Sequence, residues 1–277
     1  MQKNQLGRIR TASSNEGESH ASSFLRGFLH LHGVNTMTQN DRRKYLITEL
    51  LNEQPEYADI SVPKDETEQK KLLRALFNIR LPLPIGDDFL RVQDEYLQEE
   101  IAQKGITSID DLEPIKPDIY LWQGDITTLK CDAIVNAANS QMLGCFCPNH
   151  GCIDNAIHTF SGVQLRLKCA EIMKNQGKDE ETGTAKITPA YNLPCKYILH
   201  TVGSCYLSCL ALANEYKLNS IAFCCISTGE FHFPNDKGAK IAIETVGEYK
   251  KLTNSKIKVI FNVFKNSDYK IYREYLG

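Results

Sequence analysis

Between Gly144 and Asp154 the chain reads Gly-Cys-Phe-Cys-Pro-Asn-His-Gly-Cys-Ile-Asp, which packs Cys145, Cys147, His150 and Cys152 into eight residues. Thiolate sulfur and imidazole nitrogen are the donors zinc takes, and one short loop brings them together with little loop-closure entropy. The spacing is not the paired C-x2-C of a structural finger. It offers three ligands, which leaves the open coordination position that catalytic zinc requires, or four if Cys147 joins; the plainer alternative is a loop of free cysteines. An apolar run, Ala133-Ile134-Val135, leads into this loop through Asn136 and Asn139, and a helical pattern opens at Ile153 just after it.

What surrounds the loop sets the elements that must position it. Beyond a linker holding Pro114 and Pro117, short apolar runs alternate with amphipathic ones. Strands are expected at 119–123, 133–136, 184–188, 197–202, 221–226 and 257–264, and helices near 153–176, 205–217, 236–252 and 266–275. That alternation specifies a layered α/β domain with helices on both faces of a mixed sheet. In such sheets ligands bind beyond the carboxyl ends of the strands. Those ends carry Asp125 and Ile126, Asn136 and Asn139, Ser227-Thr228-Gly229-Glu230, and Phe264. A carboxylate, amides, hydroxyls, a glycine turn exposing N–H groups and an aromatic ring together suit a nucleotide-like ligand. Each has a plainer reading too: Asp125 as a turn cap, Ser227–Gly229 as an ordinary strand-to-helix turn, Phe264 as core. His232, in Phe231-His232-Phe233-Pro234, lies next to that glycine turn.

From Asn40 to Gly105 the pattern is helical: Tyr45, Leu46, Leu50 and Leu51 share one face, and Asp65 with Glu68 makes a capping signal before Leu72, Leu73, Leu76 and Phe77. Leu81-Pro82-Leu83-Pro84 breaks that helix, Asp87 caps the next, and Gly105 stops it. Residues 1–36 are rich in Ser, Gly, His and Asn without periodicity, and are expected to be a disordered leader. The organisation is then leader 1–36, helical extension 37–117 and α/β domain 118–277. A net charge of −2 leaves no basic excess to argue for nucleic acid, and no apolar run approaches the length needed to span a bilayer. Several of the ten cysteines, Cys131, Cys169, Cys209, Cys224 and Cys225 among them, sit inside apolar runs, as reduced thiols do in a cytoplasmic protein.

Three segments, Asp132–Asn139 (DAIVNAAN), His200–Gly203 (HTVG) and Ile226–Phe231 (ISTGEF), resemble macrodomain signatures, and Gly144–Asp154 is similar to the zinc-containing microbial branch of that family. The resemblance covers about 118–277 and implies a three-layer α/β/α sandwich with a mixed sheet, the helical lobe matching the branch's N-terminal extension. It implies hydrolytic removal of mono-ADP-ribose from acidic protein side chains, in a branch found beside sirtuin-type ADP-ribosyltransferases. A small lipoylated carrier protein is the substrate that company implies. By resemblance Zn²⁺ sits on Cys145, His150 and Cys152, and Asp154 and Asn139 are catalytic. The ADP-ribose contacts implied are Asp125, Ile126, Asn136, Asn139, Asn155, Ser227, Thr228, Gly229, Glu230, Phe231 and Phe264. The same pocket would serve a reader that binds ADP-ribose without cleaving it, or an O-acetyl-ADP-ribose deacetylase. Three departures stand out: the added thiol Cys147, His232 where glycine is common, and Gly203 running straight into a helix where the family has a proline and a longer connector.

Overall fold

The computed structural model describes residues 37–57, 59–226 and 233–277. The expected leader, and the turn carrying Ser227, Thr228, Gly229, Glu230, Phe231 and His232, lie outside the described residues. The described residues divide into two compact units, one holding those from 37 to 99 together with Phe146–His150, the other those of Glu100–Cys145 and Gly151–Gly277.

The first unit is helical. Helix α1 (Gln39–Asn52) starts in a capping box, Thr38 with Asp41, and buries Tyr45, Leu46, Ile47, Leu50 and Leu51. Helix α2 (Glu66–Ile79) starts where Asp65 accepts from the Glu68 N–H, and buries Leu72, Leu73, Leu76 and Phe77. Helix α3 (Asp87–Lys104), whose residues from Glu100 on belong to the second unit, begins at Asp87 itself: the Gly86 carbonyl takes the first helical N–H, from Leu90, so Asp87 stands in the first turn rather than before it. Two buried cations are paired, as burial demands. Arg43 pairs with Glu66 and donates to Gln69 and Asn40, and Arg80 forks onto both oxygens of Glu53. Gly105, at φ +87, ends α3 in the left-handed conformation that favours glycine.

The second unit is built on a six-stranded mixed sheet. A small parallel pair joins β1 (Thr107–Ser108) to β3 (Leu129–Lys130). The main sheet contains β2 (Ile119–Gln123), β4 (Ala133–Ala137), β5 (Ala185–Pro189), β6 (Tyr197–Thr201), β7 (Ser220–Phe223) and β8 (Lys258–Val263), in the spatial order β2-β8-β7-β4-β6-β5. Every pair is parallel except β5 with β6. Pro189 ends β5, which lies at the sheet's edge, where its missing N–H costs no ladder bond. The helices are α4 (Ile153–Ser161), α5 (Val163–Gln176), α6 (Tyr206–Glu215), α7 (Asn235–Thr253) and α8 (Asn266–Leu276). One continuous helix was expected over 153–176; the structure has two, because Gly162 takes φ +96 and turns the chain between α4 and α5. Burial is nearly complete along β4, β7 and β8, the signature of parallel strands covered on both faces.

Asp132 locks the start of β4 to its neighbours. Its carbonyl accepts from the backbone of Lys196 and Tyr197, its own N–H donates to Ser220 Oγ, and its carboxylate accepts from the Asn219 N–H at 2.6 Å and pairs with Lys196 at 2.7 Å. Burial pushes this carboxyl up, but Lys196 and the Asn219 N–H overrule burial and hold it below the ordinary carboxylate value. A depressed folded pKa stabilises the fold above about pH 4 and ceases to do so as pH falls through it. Asp132→Ala is expected to cost about 1 kcal/mol in denaturant unfolding at pH 7, since it removes the hydrogen bond from the Asn219 N–H and the pairing with Lys196. Asp132→Asn should show a shallower loss of stability than the native protein as pH drops from 5 to 3.

Candidate metal loop and nucleotide-facing site

The loop between β4 and α4 brings three donor side chains together. The donor atoms of Cys145, His150 and Cys152 all lie within 4.8 Å of one another, and all three residues are half-buried. Cys147 is exposed and stands outside this group. Local structure explains how the chain achieves this. Cys152 is the N-cap of α4, its sulfur accepting the Asn155 N–H at 3.4 Å, so a helix N-terminus faces one of the two thiols. Gly144, at φ +80, passes so close to the His158 ring that a Cβ there would meet it at 2.7 Å. Arg166 of α5 holds the preceding residue, donating to the Leu143 carbonyl at 2.6 Å. The apex, Phe146–His150, has partners in the helical unit to which it belongs: Asn149 N–H donates to Asn78, and Arg74 donates to the His150 carbonyl.

The donor set fits zinc. Two thiols side by side and an imidazole are soft and borderline ligands. The hydrogen bond with Cys145, and then burial, hold the Cys152 thiol far above the usual range, so the pair resists ionising without a cation to take the charge.

Asp154 follows Cys152 by two residues and is 5% exposed. Burial pushes its carboxyl up to about 6, a hydrogen bond from Asn136 opposes the rise, and Cys145 adds to it while Arg166 subtracts. Asn136 donates to Asp154 Oδ1 at 2.8 Å and is itself wholly buried. Asn155 is wholly buried as well. The Asn136 side chain meets Asp154, and the Asn155 backbone N–H contributes to the Cys152 cap. Asn139 is exposed; it accepts from the Gln141 N–H and donates to the Gly144 carbonyl, which ties the β4 exit to the metal loop.

On the other side of the sheet's carboxyl edge, β2 runs out at Gly124. Its missing Cβ is required, because the Trp122 ring would lie 2.3 Å from one. Asp125 accepts the backbone and hydroxyl hydrogens of Thr127 through Oδ1, and pairs with Lys104 through Oδ2 at 3.0 Å. Burial works against ionisation here, but the Thr127 hydrogen bond and the Lys104 cation outweigh it, keeping the carboxyl below its usual value. Lys104 also stands 3.3 Å above the ring of Phe160 on α4. Ile126 is buried beside Asp125, and Phe264, at the end of β8, is 73% exposed, an aromatic face turned to solvent. The sheet therefore brings Asp125, Ile126 and Phe264 to one edge, through the parallel pairing of β2 with β8, and Asn139 and Asp154 to the β4 exit. Sequence reasoning missed Lys104, Thr188, Arg166 and the role of His200. Only tertiary contacts bring these to the site, and a lysine at a helix end or a histidine inside a strand carries no local signal.

A Macro domain model matches residues 135–242. The chain is 55% identical, over 261 residues, to a protein-ADP-ribose hydrolase of Treponema medium; the match spans 87% of this chain and all of that relative. It is 49% identical to a protein-ADP-ribose hydrolase of Staphylococcus aureus (strain MSSA476), across 87% of this chain and 97% of the relative. Among solved structures it is similar to the Trypanosoma brucei macrodomain in complex with ADP-ribose, with TM-score 0.59 and 28% identity, covering 78% of this chain and 97% of that one. With a relative this close matched along its whole length, and the expected mixed sheet flanked by helices in place, the chain belongs to the macrodomain family.

Proposed function

We propose that this protein hydrolyses the bond joining ADP-ribose to a modified protein, and does so with Zn²⁺ held by Cys145, His150 and Cys152. The observation that carries this reading is the adjacency of two sites on one turn. Cys152, a donor of the metal group, caps the helix whose first turn presents the buried carboxylate of Asp154. Relatives matched over essentially their whole length are named for this hydrolase activity. Zn²⁺ held by these residues would supply Lewis-acid chemistry, weaker than at an all-histidine site because two thiolates would offset its charge.

The chain's own residues do the rest. Asp125 offers its remaining acceptor capacity to an exocyclic amine on the base, and the exposed Phe264 ring offers a stacking face. Ile126 lines the same end. Ser227, Thr228, Gly229, Glu230 and Phe231 are assigned to the diphosphate on sequence alone. Asn139 and Asp154 position the water and stabilise charge developing near the anomeric carbon. Asn136 and Asn155 serve from behind, through Asp154 and the Cys152 cap. Water adds across the scissile C–O bond: its hydroxyl stays with one fragment, its proton goes to the other, and free ADP-ribose and an unmodified side chain result. We assign an acidic side chain as the modified residue, because a carboxylate leaves with its charge already delocalised and so needs little acid assistance. A lipoylated carrier protein is the substrate class we would test first. Cysteines set inside apolar runs, Cys131, Cys169, Cys209 and Cys224 among them, fit a reducing compartment, so we place the protein in the cytoplasm. No helix among the described residues is long and apolar enough to cross a membrane.

Purified protein is expected to hold about one zinc per chain by elemental analysis, as a single triad implies. Chelation should abolish ADP-ribose release from an acidic-residue-linked substrate without changing the circular dichroism, and added zinc should restore it. Binding of ADP-ribose with no release from the metal-loaded protein would favour a reader for that linkage. Asp154→Ala, still metal-bound, should lose roughly 10²–10⁴-fold in kcat while ADP-ribose affinity by calorimetry changes little. Asp125→Ala should do the reverse, weakening ADP-ribose binding with a smaller effect on kcat.

A further inference from the structure

Behind Asp154 lies a buried polar chain that neither the metal nor the nucleotide accounts for. Asn136 of β4 and His200 of β6 are register partners, so their side chains rise from the same face of the sheet. Asn136 Nδ2 lies 2.8 Å from Asp154 Oδ1 and 3.1 Å from His200 Nδ1. On the far side, His200 Nε2 lies 3.0 Å from the hydroxyl of Thr188, which β5 brings to the diagonal position. All four residues are buried, and neither Asn136 nor His200 has any exposed surface.

Valence fixes the direction of these bonds. An amide nitrogen carries two hydrogens and no lone pair to share. If both point at acceptors, one goes to the Asp154 carboxylate and the other to His200 Nδ1, which must then be unprotonated. The imidazole proton then sits on Nε2, which faces Thr188 Oγ1 at 3.0 Å as its nearer acceptor and Cys169 Sγ at 3.9 Å. Burial keeps the ring neutral, its pKa lowered to about 3, so Nδ1 remains a lone pair throughout the working range. The cost shows at the other end of the amide: Asn136 Oδ1 is buried with no partner among the described residues. Turning the amide over would bring that oxygen against the carboxylate, a contact of two acceptors. An orphaned acceptor retained in the core is a local violation of the kind that accompanies a functional constraint.

We propose that His200 is a positioning residue for hydrolysis: by accepting from Asn136 it fixes the amide so that its other hydrogen holds Asp154 Oδ1 and turns Oδ2 to the reaction. The inference rests on Asp154 being catalytic. Its machinery is the relay Thr188–His200–Asn136–Asp154, which reaches the loop chemistry from three strands of the sheet.

His200→Asn places an amide oxygen near where Nδ1 stood, while His200→Leu removes the acceptor. His200→Leu is expected to lower kcat by roughly 10–100-fold, with KM and ADP-ribose affinity within a few-fold of native, and His200→Asn should recover most of the loss. In the Asp154→Ala background His200→Leu should cost nothing more, because residues acting through one group are not additive. Nitrogen-15 NMR of the native zinc-loaded protein should show the neutral Nε2–H tautomer for His200. An Nδ1–H tautomer, equal losses in the Leu and Asn variants, or a parallel loss of ADP-ribose affinity would overturn the inference. Full turnover in Asp154→Ala would instead defeat the catalytic reading beneath it; an inactive Asp154→Ala beside a fully active His200→Leu defeats only the positioning role.

Discussion

The arrangement of the site depends on one amide placed where water cannot reach it. Asn136 sits on β4, an interior strand of the sheet, and its nitrogen bonds a carboxylate on one side and a neutral imidazole on the other. In water those bonds would be exchanged freely with solvent and worth little. In the core, exchange is closed off, and each hydrogen must have an acceptor. The consequence is a carboxylate held in one orientation at the first turn of α4, although α4 is joined to β4 only through a long loop.

The loop that separates them is held from several directions. Gly144 lets the backbone run against His158, Arg166 grips the Leu143 carbonyl, Asn139 grips Gly144, and Cys152 caps the helix that receives the chain. Each contact fixes a point that would otherwise be free to spread the two thiols. A cation holding Cys145, His150 and Cys152 would therefore find its donors gathered rather than having to collect them, which lowers the ordering cost of binding. The same economy appears at Asp125. Thr127 and Lys104 occupy the carboxylate on two sides and keep it ionised, so what acceptor capacity remains has a defined direction.

Much of this was legible from the residues alone. The periods of the strands and helices, the proline and glycine punctuation and the Asp65 cap are local properties. They fold much as local chemistry dictates because burial of the same apolar faces rewards them. The clustering of three donors was legible for the same reason: Cys145, His150 and Cys152 are close in sequence, and little chain has to be folded to unite them. Where a local signal was absent the reading failed, as at Gly162, where the apolar pattern continues through a residue whose φ of +96 divides α4 from α5.

The sequence by itself determined which donors share a loop, which segments alternate as strand and helix, and which strand ends hold polar side chains. Only the tertiary structure decided what those side chains face. Asn136 and His200 are 64 residues apart, and parallel pairing of β4 with β6 makes them neighbours. Lys104 lies 21 residues before the Asp125 it neutralises. An asparagine at a strand end can equally meet solvent, a ligand or a buried carboxylate. Which of these it meets is set by strand order and register, and these follow from how the whole sheet buries its apolar faces rather than from any short stretch of chain.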